Sequence, residues 1–197
     1  GTDGVDTVSG ATQSSRAVLD AVDKALAQAT AAFSGSGTVS DPYKIVNAAQ
    51  LAAFAASVDN GNTYEDEYVV LADDIDLSDI DNWNPIGDEA GGSAIFNGTF
   101  DGRGYAIDGL TIDAAVTSGD SYHGLFSVLG GSTVVKNLNL THADVRVENT
   151  AGKAFAGALA GSATKTATSA HNVIGTRIDA CSATGSVYAL VSGDAIA

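Results

Sequence analysis

Hydrophobic residues in this chain change period about a third of the way along it. Over residues 14–33, Val18, Val22, Ala25, Leu26, Ala29 and Phe33 recur at spacings of three and four. That pattern predicts a helix with one narrow apolar stripe, capped by Thr12 or Ser14. Ser34-Gly35-Ser36-Gly37-Thr38 then breaks the pattern and reads as a short linker. A second helix is predicted at 48–58, with Leu51, Phe54, Ala55 and Val58 on one face. Asn47 stands where an N-cap belongs, and Asn60-Gly61 ends the helix.

From about residue 67 the period becomes two. Short apolar-alternating segments, separated by Gly, Asn, Asp and Ser, predict strands near 67–71, 75–77, 95–100, 105–107, 110–113, 122–128, 133–140, 143–147, 154–159, 172–179 and 186–191. The gaps are too short for crossover helices, which argues against a doubly wound α/β sheet and for a mainly β chain. The pattern also repeats weakly. Gly124-Leu125-Phe126 returns as Gly157-Ala158-Leu159, and Asn137-Leu138 returns as Asn172-Val173. A spacing of about 34 residues is that of stacked repeats, in which no unit can bury its apolar face alone.

Composition narrows the partners. A chain of 197 residues buries roughly 70% of its unfolded surface, enough for a core without disulfides or metals. Its net charge of −15 repels phosphates, which argues against nucleic acid and against adsorption to anionic lipid. Cys181 is the single cysteine, so no intrachain disulfide forms, and it is expected to be a small buried apolar residue. No apolar run approaches the length of a membrane span, and no signal peptide is evident. Gly1 in place of a start methionine and an end in mid-pattern at Ala197 suggest a piece of a longer protein, truncated at its C-terminus. Membrane association would then come only through other parts of that parent.

Candidate chemistry is sparse. Asp73, Asp74 and Asp76 offer clustered hard oxygen ligands for a cation, but the run lacks the Gly and terminal Glu of a calcium loop and reads as a strand entering a polar loop. No other metal site is expected; His123, His142 and His171 are scattered without ligand spacing. Asp101 and Asp108 are carboxylates of the type glycoside hydrolysis needs, although Asp101-Gly102-Arg103-Gly104 reads better as a turn. No catalytic residue is assigned. Trp83 and Tyr122 could stack on sugars, with Trp83 more readily plugging a coil end.

Two family resemblances carry more. The run Val5-Asp6-Thr7-Val8-Ser9-Gly10-Ala11-Thr12, followed by an Ala-rich helix, resembles the end of the bacterial FMN-binding domain family. The resemblance implies that Thr12 carries covalent FMN through a phosphoester, with Asp6, Ser9, Gly10 and Ala11 forming the motif around it. Small neighbours and a following helix N-terminus suit that attachment. The rest of such a domain would lie upstream, so FMN is expected on the intact parent and not on this fragment.

Residues 37–197 resemble bacterial surface modules with GLUG-type repeats. The resemblance rests on Gly37-Thr38, Asp41-Pro42-Tyr43, Ile45, Leu51, Phe54, Leu71 to Leu77, Trp83-Asn84-Pro85-Ile86-Gly87, Phe96 to Gly102, and Gly124-Leu125-Phe126. It implies a right-handed parallel β-helix over 34–197, preceded at 1–33 by the FMN-binding tail. The expected function is a non-catalytic surface binding or stalk module, adhesin-like, in a larger exported bacterial protein. Its partner would be a surface glycan or protein. An envelope electron-transfer flavoprotein and a polysaccharide-active β-helix enzyme are the alternatives.

Overall fold

The computed structural model describes residues 33–87, 95–168 and 172–192. The helix predicted at 14–33 lies outside the described residues except for Phe33. Strand β1 (Tyr43–Ile45) leads into helix α1 (Ala48–Asp59) and returns to β2 (Tyr68–Leu71). Then follow β3 (Ile75–Asp76), β4 (Thr99–Asp101), β5 (Ala106–Asp108), β6 (Thr111–Val116), β7 (Ser121–His123) and β8 (Phe126–Leu129). The next round supplies β9 (Val134–Lys136), β10 (Asn139–Asn149), β11 (Ala154–Ala156) and β12 (Ala160–Ala163). After β13 (Lys165–Thr168) and β14 (Asn172–Gly175) come β15 (Arg177–Asp179) and β16 (Ser182–Val191).

The fold is mainly β, and its pairings describe a curled parallel sheet. One sheet runs β1-β2-β4-β9-β15 and a second β16-β10-β5-β3, with β6 also on β10. The third position is filled by β7 beside β11 and β8 beside β12, again parallel. The chain therefore revisits the same strand positions in the same order. Antiparallel pairing among the named strands is confined to β13–β14, a hairpin inserted before β15.

Register puts like side chains in columns. Phe100 pairs Val135, Ile75 pairs Ile107 and then Leu140, and Ile112 pairs Val145. All seven are buried, and a chain of rings extends the core at the β1 end. Phe33 meets Tyr43 at 5.3 Å, Tyr43 meets Tyr64 at 5.8 Å, and Phe54 lies 5.0 Å from Tyr64 and 5.4 Å from Phe96. Such edge-on pairs add to the area that each ring buries.

Helix α1 begins and ends as its sequence predicts. Asn47 accepts a hydrogen bond from the Gln50 amide at 2.9 Å, and the Gln50 side chain accepts one from the Val46 amide. The pair resembles a capping box, with the returning bond taken one residue earlier, at the amide before the N-cap. Beyond the helix, Gly61 takes φ +94° and its amide bonds the Val58 carbonyl. Leu51, Phe54 and Val58 are fully buried, so α1 covers the core beside β1 and β2.

Several sequence expectations are corrected. Ser34 to Thr38 is no free linker: Ser34 bridges Lys44, and the Gly37 carbonyl accepts from the Tyr68 amide. Its glycines serve close approach, since a Cβ at Gly35 would lie 2.0 Å from the Pro42 carbonyl oxygen. The segment 122–128 splits at Gly124, where a Cβ would meet the Gly157 carbonyl at 2.4 Å. The segment 133–140 breaks at Asn137, held at φ +52°. Segment 172–179 divides into β14 and β15, while 143–147 extends into the longer β10. Cys181 is half-buried, not buried, its Sγ turned toward the Asp179 and Val135 carbonyls.

Removing the helix's apolar anchors should destabilise the whole stack. Leu51→Ala and Phe54→Ala are each expected to cost about 2–5 kcal/mol. Val39→Ala, at a side chain 72% exposed, should change stability by less than about 0.5 kcal/mol. Urea unfolding of the three variants measures this; similar losses at all three would contradict the covering role of α1.

Candidate functional site

The flavin-attachment residues Asp6, Ser9, Gly10, Ala11 and Thr12 lie outside the described residues. What the structure does place are the acidic and aromatic candidates. Asp73 Oδ1 accepts from the Asp74 amide at 2.9 Å, Asp74 Oδ1 from the Ala106 amide at 2.8 Å, and Asp76 Oδ1 from the Ser78 amide at 2.8 Å. The run therefore builds turns and ties one round of the chain to the next. Among the described residues no group of three or more His, Cys, Asp or Glu side chains is arranged to hold a metal ion.

Asp101 and Asp108 are not brought together as an acid/base pair, since β4 and β5 belong to different sheets. Asp101 Oδ1 accepts from the Arg103 amide and from Asn137 Nδ2, both at 2.9 Å, and Oδ2 lies 3.3 Å from Lys136 Nζ. Partial burial by itself raises the Asp101 pKa. The hydrogen bonds from Asn137, Arg103 and Lys136 outweigh burial and hold the carboxyl below its ordinary value. Asp101-Gly102-Arg103-Gly104 is the turn its sequence suggests, with Arg103 at φ +53° and Gly104 at +85°. Asp108 Oδ1 receives the Thr141 hydroxyl at 2.5 Å and faces His142 Nδ1 at 2.7 Å. The Thr141 and His142 hydrogen bonds lower its pKa. Both aspartates thus act as ties between successive rounds.

The aromatic candidates divide. Trp83 is buried and donates Nε1–H to the Leu125 carbonyl at 3.2 Å. Tyr122 lies flat on Phe155, ring centroids 4.7 Å apart and 5° from parallel. His123 is buried and His142 is on the surface; His171 falls outside the described residues.

Two features had no clear signal in the sequence. A cavity of about 280 Å³ opens between α1 and the 80–84 segment, walled by Ala52, Ala56, Ile80 and Trp83 with Asp59 and Asn84 at its polar side. Asp59 is committed there, accepting from Asn84 Nδ2 at 2.9 Å and the Gly87 amide at 3.0 Å. Asn149, fully buried at the end of β10, donates to the Gly119 and Lys153 carbonyls and to Ser121 Oγ. Its Oδ1 accepts from the Ala151 and Gly152 amides. One side chain thereby satisfies the bend from β10 toward β11.

The FMN-binding domain family matches residues 1–27. Among curated proteins, a protein of Evansella cellulosilytica provisionally named a Gly-rich membrane protein is 39% identical over 134 residues, 64% of this chain. Halomucin of Haloquadratum walsbyi is 38% identical over 133 residues, 62% of this chain. This chain spans only 14% and 1% of the lengths of those two relatives. A crystal structure from Bacteroides ovatus, provisionally named an immunoglobulin A1 protease, aligns with a TM-score of 0.53 and 25% identity. The alignment covers 78% of this chain and 40% of that one. Among the described residues no helix is long and apolar enough to cross a membrane.

The tie at Asp101 makes stability depend on pH in a definite direction. A carboxyl held below its unfolded value binds fewer protons in the folded state. Its stabilisation is complete above the unfolded value, near pH 4, and is lost as pH falls through the folded value. Asn137→Gly keeps the φ +52° position unstrained while deleting the amide donor. NMR titration should then show the Asp101 pKa moving up, with a stability loss of about 0.5–1.5 kcal/mol at neutral pH. An unchanged Asp101 titration would show that the Asn137 bond does not set it.

Proposed function

We propose that this chain joins the C-terminal end of an FMN-binding domain to a non-catalytic surface module in a larger exported bacterial protein. The observation that carries the reading is the match of the FMN-binding domain family to residues 1–27, ahead of the first strand at Tyr43. In this reading residues 1–33 are the tail of the flavin domain. Residues 34–197 form a right-handed parallel β-helix with GLUG-type repeats. The parallel pairing of β2, β4, β9 and β15 supports the coil, as does the return of the chain to the same positions.

Thr12 is the attachment residue for FMN in the intact parent. Its hydroxyl supplies the phosphoester oxygen, and Gly10 and Ala11 leave room for the phosphate. Bound FMN would supply one- and two-electron chemistry to the parent, whose electron-transfer role is the second reading of the same motif. The β module serves as a stalk or adhesin-like binding surface for a glycan or protein outside the cell. Support for an envelope or extracellular location comes from relatives named as a membrane protein and a mucin. The commitment of Asp101 and Asp108 to ties between rounds favours binding over polysaccharide cleavage.

Expression of the full-length parent with a flavin transferase checks the attachment. Tryptic peptides containing Thr12 should gain the mass of FMN less one water, as expected for a phosphoester, and Thr12→Ala should abolish covalent flavin fluorescence in denaturing gels. Flavin on another residue, or undiminished fluorescence in the variant, would refute the assignment.

A further inference from the structure

We infer that the polar cleft at the corner leading into β2 and β4 is a binding subsite for one neutral sugar ring. The inference rests on the reading of residues 34–197 as a surface binding module, and gives that module a place and a ligand class. Three successive rounds build the cleft. Asp66 and Tyr68 come from one, Asn97, Gly98 and Thr99 from the next, and Ser132 from the third. Tyr68 and Thr99 stand side by side in register on β2 and β4. The cleft therefore lies within the sheet β1-β2-β4-β9-β15 and not at its last strand.

Hydrogen bonding sets this corner apart from the others. Asp74, Asp101 and Asp108 are committed to ties between rounds, and Asn137, Asn139 and Thr141 donate across to the neighbouring round. At the cleft the backbone is used as fully. The Tyr68 amide donates to the Gly37 carbonyl, the Asn97 amide to Thr63 and the Thr99 amide to Glu67. The side chains are not used. Among the described residues, no protein hydrogen bond or ion pair is made by the Asp66 carboxylate, the Tyr68 hydroxyl, the Asn97 side-chain amide or the Thr99 and Ser132 hydroxyls. Gly131, at φ +58°, keeps their space open, because a Cβ there would stand 2.8 Å from Asn97 Oδ1. Polar side chains that the fold leaves over, converging on one cleft, are what a polar ligand requires.

Their chemistry selects the class. An ionised Asp66 only accepts, while Tyr68, Asn97, Thr99 and Ser132 both donate and accept. Neighbouring sugar hydroxyls answer such a mixed set, since each of them also donates and accepts. A phosphate or an acidic sugar would meet Asp66, no Lys or Arg, and a chain of net charge −15. A metal ion would lack ligands, because no group of three or more His, Cys, Asp or Glu among the described residues could hold one. The volume is about 150 Å³, below the roughly 300–1,000 Å³ of sites that enclose a drug-sized ligand. One ring fits, with the rest of a glycan left in solvent. A protein partner would need a far larger contact than this cleft supplies.

NMR amide shifts of the 197-residue chain, titrated with the methyl glycosides of glucose, galactose and mannose and with galacturonate, test the inference. At least one neutral glycoside should move the amides of Asp66, Tyr68, Asn97, Gly98, Thr99 and Ser132, saturating with a Kd of roughly 1–20 mM. Galacturonate should move none of them. Asp66→Gly, which the φ of +61° accommodates, and Asn97→Ala should each raise that Kd about fivefold or more. Both variants should unfold within a few degrees of the parent, since the deleted groups bond nothing in the fold. A much lower unfolding temperature in both would assign these side chains to stability and overturn the inference. No response to any of the three neutral glycosides overturns it, as does an equal response to galacturonate. Shifts centred on other residues overturn the subsite while supporting the module as a binding surface, so the two readings fail separately.

Discussion

A round of short parallel strands cannot bury its own inward side chains; only the rounds above and below can. Two valines in one column show the size of that constraint. Val145 in β10 is fully buried, between Ile112 on one side and Val187 on the other. Val187, with a strand neighbour on one side only among the described residues, is 49% exposed. Backbone conformation and side-chain chemistry are the same, so the cover alone makes the difference. Stability in such a stack is a sum over neighbours, and its two ends are its weakest places.

At the β1 side the sequence itself covers the stack. At the β1 end the chain spends twelve residues on α1 instead of another strand, and the helix brings Leu51, Phe54 and Val58 down onto the rings of Phe96 and Phe100. A helix satisfies its own backbone hydrogen bonds and so leaves no pairing edge over the core. Phe33 and Tyr43 extend the same cover outward.

Much of this was legible in the chain. Asn47, Gln50, Asn60 and Gly61 spell out the helix and its ends, because capping is local chemistry. Alternation located β2, β3, β5 and β6 to within a few residues. Corners were less legible. Asn137 takes positive φ in the middle of the run 133–140 that alternation marks as one strand, and only the approach of the neighbouring round forces the bend. Gly124 and Gly157 were read as a repeat signature, but their physical reason is backbone contact between rounds. The hairpin β13–β14 escaped notice because Lys165 to Thr168 shows no apolar alternation. Of the candidate site, the aspartates were found by type, while their partners lie a full round away. Asp74 reaches Ala106, and Asp108 reaches Thr141.

Those cross-round ties also bear on what the surface can do. A carboxylate that already accepts two hydrogen bonds and faces a lysine, as Asp101 does, is fixed in place and kept ionised. It cannot double as a general acid, which must hold a proton near neutral pH. Asp74, Asp101 and Asp108 are carboxylates that hold corners between rounds. Among the described residues, the apolar-walled cavity beside α1 is a feature that stacking does not use. A scaffold built this way can gain a ligand or a neighbour at its ends and loops without disturbing the columns that hold it together.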